Sequence, residues 1–151
     1  MRPSAHVAAS AVISGVAYAA TRSPVLSASA LLSGIFLDVD HLVDFLLLSG
    51  EKLTITNAYS WHEEMRWNKI YLVLHSVEIV ALVCLLAAWR RDALLAGLAL
   101  GAGTHLALDQ IFNPRLRPDC RMSAWFYFLA YRCRVGFRKA RLVQWLDSRG
   151  D

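Results

Sequence analysis

Four apolar runs dominate the chain and predict helices: Ala5 to Ala20, Val25 to Leu48, Tyr71 to Trp89 and Ala93 to Phe112. Each approaches the roughly 20 residues that an α-helix needs to cross a bilayer, the first being the shortest. The connections Thr21–Pro24 and Arg90–Asp92 are short, so the runs they join should pair as antiparallel hairpins, while Ser49–Lys69 is longer and polar. Asn113-Pro114 should end the fourth helix, because proline disfavours helix at the preceding residue and lacks the next amide donor. Beyond it the pattern changes. Ala124–Tyr131 is aromatic but too short to span, and Val135–Leu146 mixes apolar and basic residues at helical spacing, as an interfacial amphipathic helix does. The expected fold is all-α: a polytopic membrane bundle of about four spans over residues 1–113, with a basic, aromatic interfacial tail over 114–151.

Composition agrees with a membrane protein. The 151 residues are 56% hydrophobic and only 19% charged, too apolar for an ordinary soluble domain of one-domain length. Cys84, Cys120 and Cys133 have no C-x-x-C spacing, which points to packing residues and away from a disulfide framework or thiolate zinc site. Arg2, the following apolar stretch and Ala17-Tyr18-Ala19 also have the look of a secretory signal; cleavage there would remove His6 and the hairpin partner of the second span.

The apolar runs are interrupted by ionisable groups: His6, then Asp38-Val-Asp40-His41-Leu-Val-Asp44, then His75-Ser-Val-Glu78, then His105-Leu-Ala-Leu-Asp109. Such groups are costly in hydrocarbon and mark function by default. Threading four antiparallel spans places all four clusters at one end of the bundle, where a bound cation would be their common partner. Residues three or four apart share a helix face, which pairs Asp38 with His41, Asp40 with Asp44, His75 with Glu78, and His105 with Asp109. Imidazole with carboxylate suits zinc, with manganese or iron as further options. So many donors favour two metals over one, an arrangement suited to displacement at phosphorus. The expected core ligands are His41, His75, His105 and Asp109. Asp38 and Asp40 are ligands or bridges, His6 is a peripheral ligand, and Asp44 is a ligand or a partner that orients a histidine. Glu78, with Asp40, is the candidate for catalytic proton transfer. Trp61-His62-Glu63-Glu64 is expected to be a solvated loop, and Gly97, Gly101 and Gly103 to permit close helix packing.

At these residues the chain resembles the membrane-bound metal-dependent hydrolases related to the LexA-regulated inner-membrane hydrolases. That family has an early histidine, a Pro-Asp-x-Asp-His motif, a His-Arg-x-x-Thr-His-Ser motif and a late His-x-x-x-Asp. The counterparts here are His6, Leu37-Asp38-Val39-Asp40-His41, His75-Ser76 and His105-Leu-Ala-Leu-Asp109, over roughly residues 1 to 113. The family is in turn similar to the helical zinc-dependent phospholipase C and P1-type nucleases, so the resemblance implies phosphoester hydrolysis with two or three zinc ions. Leu37 replaces the motif proline, and Ile70 and Tyr71 stand where the third motif begins with histidine and arginine. One expected ligand is thus missing, to be replaced by Glu78 or His62 if the full metal complement is kept.

The function expected from the resemblance is metal-dependent hydrolysis of a lipid-borne or membrane-proximal phosphoester. A metal or proton transporter is the first alternative, although it would need polar groups through the full depth of the bundle. The second is a membrane adaptor with a structural metal. Nine of the sixteen Lys and Arg residues follow Pro114, and Arg2, Lys52, Arg66 and Lys69 fall on the same side, against Arg22, Arg90 and Arg91 on the other. The positive-inside bias therefore predicts a multi-pass inner-membrane protein with cytoplasmic termini. Membrane lipid is the expected partner, with the basic tail near anionic headgroups; no nucleic-acid partner is expected.

Overall fold

The computed structural model describes residues 3–113 and 119–146. They form a mostly helical protein: α1 (Pro3–Thr21), α2 (Pro24–Phe36), α3 (Val39–Leu48), α4 (Ile55–Glu63), α5 (Val77–Arg90), α6 (Ala93–Phe112), α7 (Leu129–Arg134) and α8 (Lys139–Leu142), with strands β1 (Cys120–Met122) and β2 (Val143–Trp145). Arg2, Pro114, Arg115, Arg117 and Arg149, used in the topological expectation, lie outside the described residues.

Both predicted hairpins form, each with its own stop and start signals. Ser23 Oγ accepts the Leu26 amide and Pro24 opens α2, where its missing N–H costs nothing. Arg91 takes the left-handed conformation after α5, and Asp92 caps α6 by accepting the Leu94 and Leu95 amides. In the bundle, α2 packs between α1 and α6, and α5 packs on the other flank of α6.

Small residues make the α2–α6 contact possible. Ser27, Ser29, Ala30 and Gly34 are the buried positions of α2, and Gly97 and Gly101 of α6 lie directly against this helix. A side chain at Gly97 would run into Ser29 Oγ and the Leu26 carbonyl, and one at Gly101 into the Ala30 carbonyl and Ser33 Oγ. Ser33 Oγ donates to the Leu98 carbonyl across this contact (3.1 Å), and Ser14 Oγ donates to Ser27 O across α1–α2 (2.7 Å). The large apolar side chains point outwards instead: Val12, Val16, Leu85 and Trp89 are each more than 60% exposed. Small residues inside and large ones outside is the arrangement expected where lipid is the solvent.

Among the described residues, two helices are long and apolar enough to cross a membrane, at Ser4–Thr21 and Ala93–Phe112. The other two expected spans are not continuous helices. The second breaks at Leu37–Asp38, where the Asp40 and His41 amides bond to Leu37 O and Asp38 O, three residues back. That tighter turn ends α2 after 13 residues, or about 20 Å. The third begins only at Val77, because residues 64–76 form an irregular segment with Met65 and Leu72 at positive φ.

The C-terminal segment does not form the expected amphipathic helix. The strands β1 and β2 pair antiparallel, Cys120 opposite Trp145 and Met122 opposite Val143, and two short helices join them. Together with α4 and the 64–72 segment they enclose a core of Phe45, Trp61, Met65, Trp67, Ile70, Leu72, Phe126 and Leu142. Burying these side chains contributes roughly 1.5–3 kcal/mol each, more than an exposed amphipathic helix would gain from its basic face. Trp61 is accordingly buried and its segment helical, in contrast to the solvated loop expected from the polar residues around it.

Candidate metal centre

The helix break after α2 and the last turns of α6 create the site. Asp38 occupies the turn between α2 and α3, so its carboxylate projects across the end of α2 towards α6. His105 and Asp109 lie one turn apart on the buried face of α6, and His6 enters from the first turns of α1. His75 comes from the irregular segment before α5.

Six of the expected residues meet there. His6, His105 and Asp109 form one trio whose ligand atoms lie within 4.8 Å of one another, and Asp38, His41 and His75 form a second. The trios interlock. Asp38 Oδ1 lies 3.3 Å from His105 Nε2 and 3.5 Å from His75 Nε2. Asp109 Oδ2 lies 3.5 Å from His105 Nε2 and 3.8 Å from His75 Nε2, while its Oδ1 is 3.1 Å from His6 Nε2. The His6 and His105 rings stack at 3.8 Å.

The unpaired nitrogens test whether a cation fits. His105 Nδ1 lies 2.8 Å from the Gly34 carbonyl, and His75 Nδ1 lies 3.3 Å from Asp40 Oδ2. Both partners accept hydrogen bonds, which fixes the Nδ1–H tautomer and turns the Nε2 lone pair towards the site. Those Nε2 atoms of His75 and His105 are buried and have no hydrogen-bond partner. Charge-assisted hydrogen bonds to Asp38 and Asp109 would be about 2.7–2.9 Å long, shorter than the gaps observed. Ligand atoms about 2.1 Å from a tetrahedral zinc stand about 3.4 Å apart, within the range of these contacts. The donor set and its spacing fit a divalent cation.

Asp40 and Asp44 take another part. Asp40 Oδ2 accepts the Leu74 amide (2.7 Å) and the His75 amide (3.1 Å) as well as facing His75 Nδ1. Asp44 Oδ2 accepts the Tyr71 and Leu72 amides at 2.6 and 3.1 Å. These two carboxylates moor the segment that presents His75, one turn apart on the same face of α3, and neither belongs to the two trios. Glu78 faces elsewhere: its oxygens accept the Leu129 and Ala130 amides, each at 2.9 Å. Its carboxylate docks α7 and lies outside both trios.

Three residues outside the expected set border the site. His62 on α4 lies against His41, with Nδ1 atoms 3.2 Å apart and His62 Nε2 2.8 Å from the His41 carbonyl. Burial pushes the His62 imidazole below its ordinary value. Asn113 donates to Asp109 Oδ1 at 2.6 Å and also bonds Tyr127, whose phenol is pushed up by burial. Tyr127 could not be found from spacing, since it arrives from the C-terminal segment. His62 had one signal, its availability for the ligand missing from the third motif.

A cavity of about 400 Å³ opens on the centre. Its polar end holds His6, Asp38, His41, His75 and Asp109, and its walls are largely apolar, with Ile35, Leu42, Ile70 and Phe126 among them. No known protein family, characterised protein or solved structure matches this chain. The family resemblance therefore rests on the four motifs alone.

Proposed function

We propose that the protein is a membrane-embedded metal-dependent hydrolase acting on a lipid-borne phosphoester. The observation that carries this is the pair of buried, unpartnered Nε2 atoms of His75 and His105 converging on Asp38 and Asp109, at the floor of an open and mostly apolar cavity. A purely structural metal site is closed by protein ligands, whereas a working site keeps access for substrate.

His6, His105 and Asp109 would hold one ion, and Asp38, His41 and His75 the other, zinc being the best match to this donor set. Bound divalent ions supply charge that neutralises a phosphoryl group and lowers the pKa of water. The chain's own residues do the rest. Asp38 and Asp109 reach histidines of both trios and so tie the two centres together. Asp40 and the Gly34 carbonyl hold the imidazoles in one tautomer. Ile35, Leu42 and Phe126 exclude bulk water and offer an apolar wall to a chain attached to the phosphoester. A transporter is disfavoured because α2 has no ionisable residue from Pro24 to Phe36, and α6 none from Ala93 to Thr104, so the ionisable groups of the centre do not continue along these two helices.

The distribution of Lys and Arg supports a multi-pass inner-membrane protein with cytoplasmic termini and the centre near the cytoplasmic leaflet. Phosphoester turnover by the zinc-loaded protein tests activity and orientation together. Purified protein in micelles should hydrolyse a long-chain lipid phosphoester, with Asp109→Ala inactive and Glu78→Gln active. In sealed membrane vesicles, substrate added outside should be consumed only when the cytoplasmic face is outermost. No turnover of lipid or water-soluble phosphoesters by metal-loaded protein would overturn the proposed activity, and turnover by right-side-out vesicles would reverse the orientation.

A further inference from the structure

Arg132 on α7 is completely buried and belongs to the segment that sequence analysis placed at the membrane surface. Its Nη2 donates to the His75 carbonyl at 2.9 Å, while Nε and Nη1 have no hydrogen-bond partner. Its guanidinium lies 5.6 Å from the centre of the Phe126 ring, which also lines the cavity. Burial draws the guanidinium below its ordinary value, opposed by the charges of Asp40, Glu78 and Asp44. A buried cation with two donor nitrogens unused is expensive, and replacing buried ionic groups by apolar residues is often neutral or stabilising. Fold stability alone is therefore a weak reason for an arginine here.

Its placement gives a stronger one. The segment carrying His75 is held from one side by α3, through Asp40 and Asp44. From the other side it is held by the C-terminal segment, through Arg132 on His75 O and the Tyr127 carbonyl on the Val77 amide (2.9 Å). Asp40, which fixes the His75 tautomer, is also the acid whose charge acts most strongly on Arg132.

We propose that Arg132 is a positioning residue of the metal centre, fixing the backbone of His75 through its carbonyl. The C-terminal segment is thereby part of the centre rather than an accessory tail. The proposal rests on the metal centre inferred above and does not require hydrolytic activity.

Cobalt(II) titration of the full-length protein, followed by visible absorption, provides the test. Arg132→Met should weaken cobalt binding 10- to 100-fold, the usual effect of losing a residue that supports a ligand, and Arg132→Lys should fall between Met and the unmodified protein. In a His75→Ala background, Arg132→Met should change affinity by less than about twofold, because the ligand through which it acts is gone. If Arg132→Met does not fold, Arg132→Lys carries the same comparison. Unchanged affinity in the folded Arg132 variants, or an equal loss with and without His75, would overturn the role. Failure of the unmodified protein to bind cobalt would instead overturn the metal centre itself.

Discussion

Replacing Asp109 or His105 with alanine should release bound metal, weakening affinity by at least about 100-fold, beyond the 10- to 100-fold typical of supporting residues. Asp109 reaches three imidazoles, with Oδ1 3.1 Å from His6 Nε2 and Oδ2 3.5 and 3.8 Å from His105 and His75 Nε2. Its loss removes a ligand atom from the first trio and leaves Asp38 as the carboxylate between His105 and His75. His105→Ala has a second consequence. The ring also bonds the Gly34 carbonyl, so the variant loses a tie between α2 and α6 and should melt at a lower temperature. Dialysis against a mild chelator followed by elemental analysis measures the first effect, and circular dichroism the second. Full metal content in both variants after dialysis would rule out the ligand assignments.

Gly101→Leu should damage fold and site together. The new side chain meets the Ala30 carbonyl and Ser33 Oγ, backbone and short side chain with nowhere to go, so α2 and α6 must separate. Overpacking of this kind costs about 1–3 kcal/mol. The same separation stretches the 2.8 Å contact between His105 Nδ1 and Gly34 O and moves Asp38 away from His105 Nε2. Loss of metal affinity should therefore accompany the drop in melting temperature. Gly15→Ala is the control: nothing lies within 4 Å of a side chain there, and alanine favours the helix. Equal behaviour of the two variants would show that α2–α6 contact does not set the site.

The ligand candidates were legible because each breaks an apolar run, where an ionisable group needs a partner. His6, Asp38, His41, His75, His105 and Asp109 come together in the structure, although no single spacing relates all six. The division of labour among the acids was not legible. Asp38, Asp40 and Asp44 occur within seven residues, and only the turn at Leu37–Asp38 separates them, aiming Asp38 at α6 while Asp40 and Asp44 face the 71–75 segment. No proline or glycine marks that turn and apolar residues resume beyond it, so the second apolar run reads as one long helix. A similar ambiguity hid the C-terminal fold. Trp61, Trp67 and the Trp125–Tyr131 run suit a membrane boundary as well as a core, and periodicity alone does not distinguish them. Phe126 packs in the core while Trp125 is exposed. Arg132 and Tyr127 reach the site only because β1 and β2 fold the tail back.

The central claim is that the two trios hold metal, and the most direct measurement is the divalent-metal content of the purified, full-length protein, counted per chain by elemental analysis. The proposed function predicts two ions per chain, with zinc foremost, and loss of both on replacing Asp38 and Asp109 together. Folded protein that takes up no divalent ion from a metal-replete buffer would contradict it.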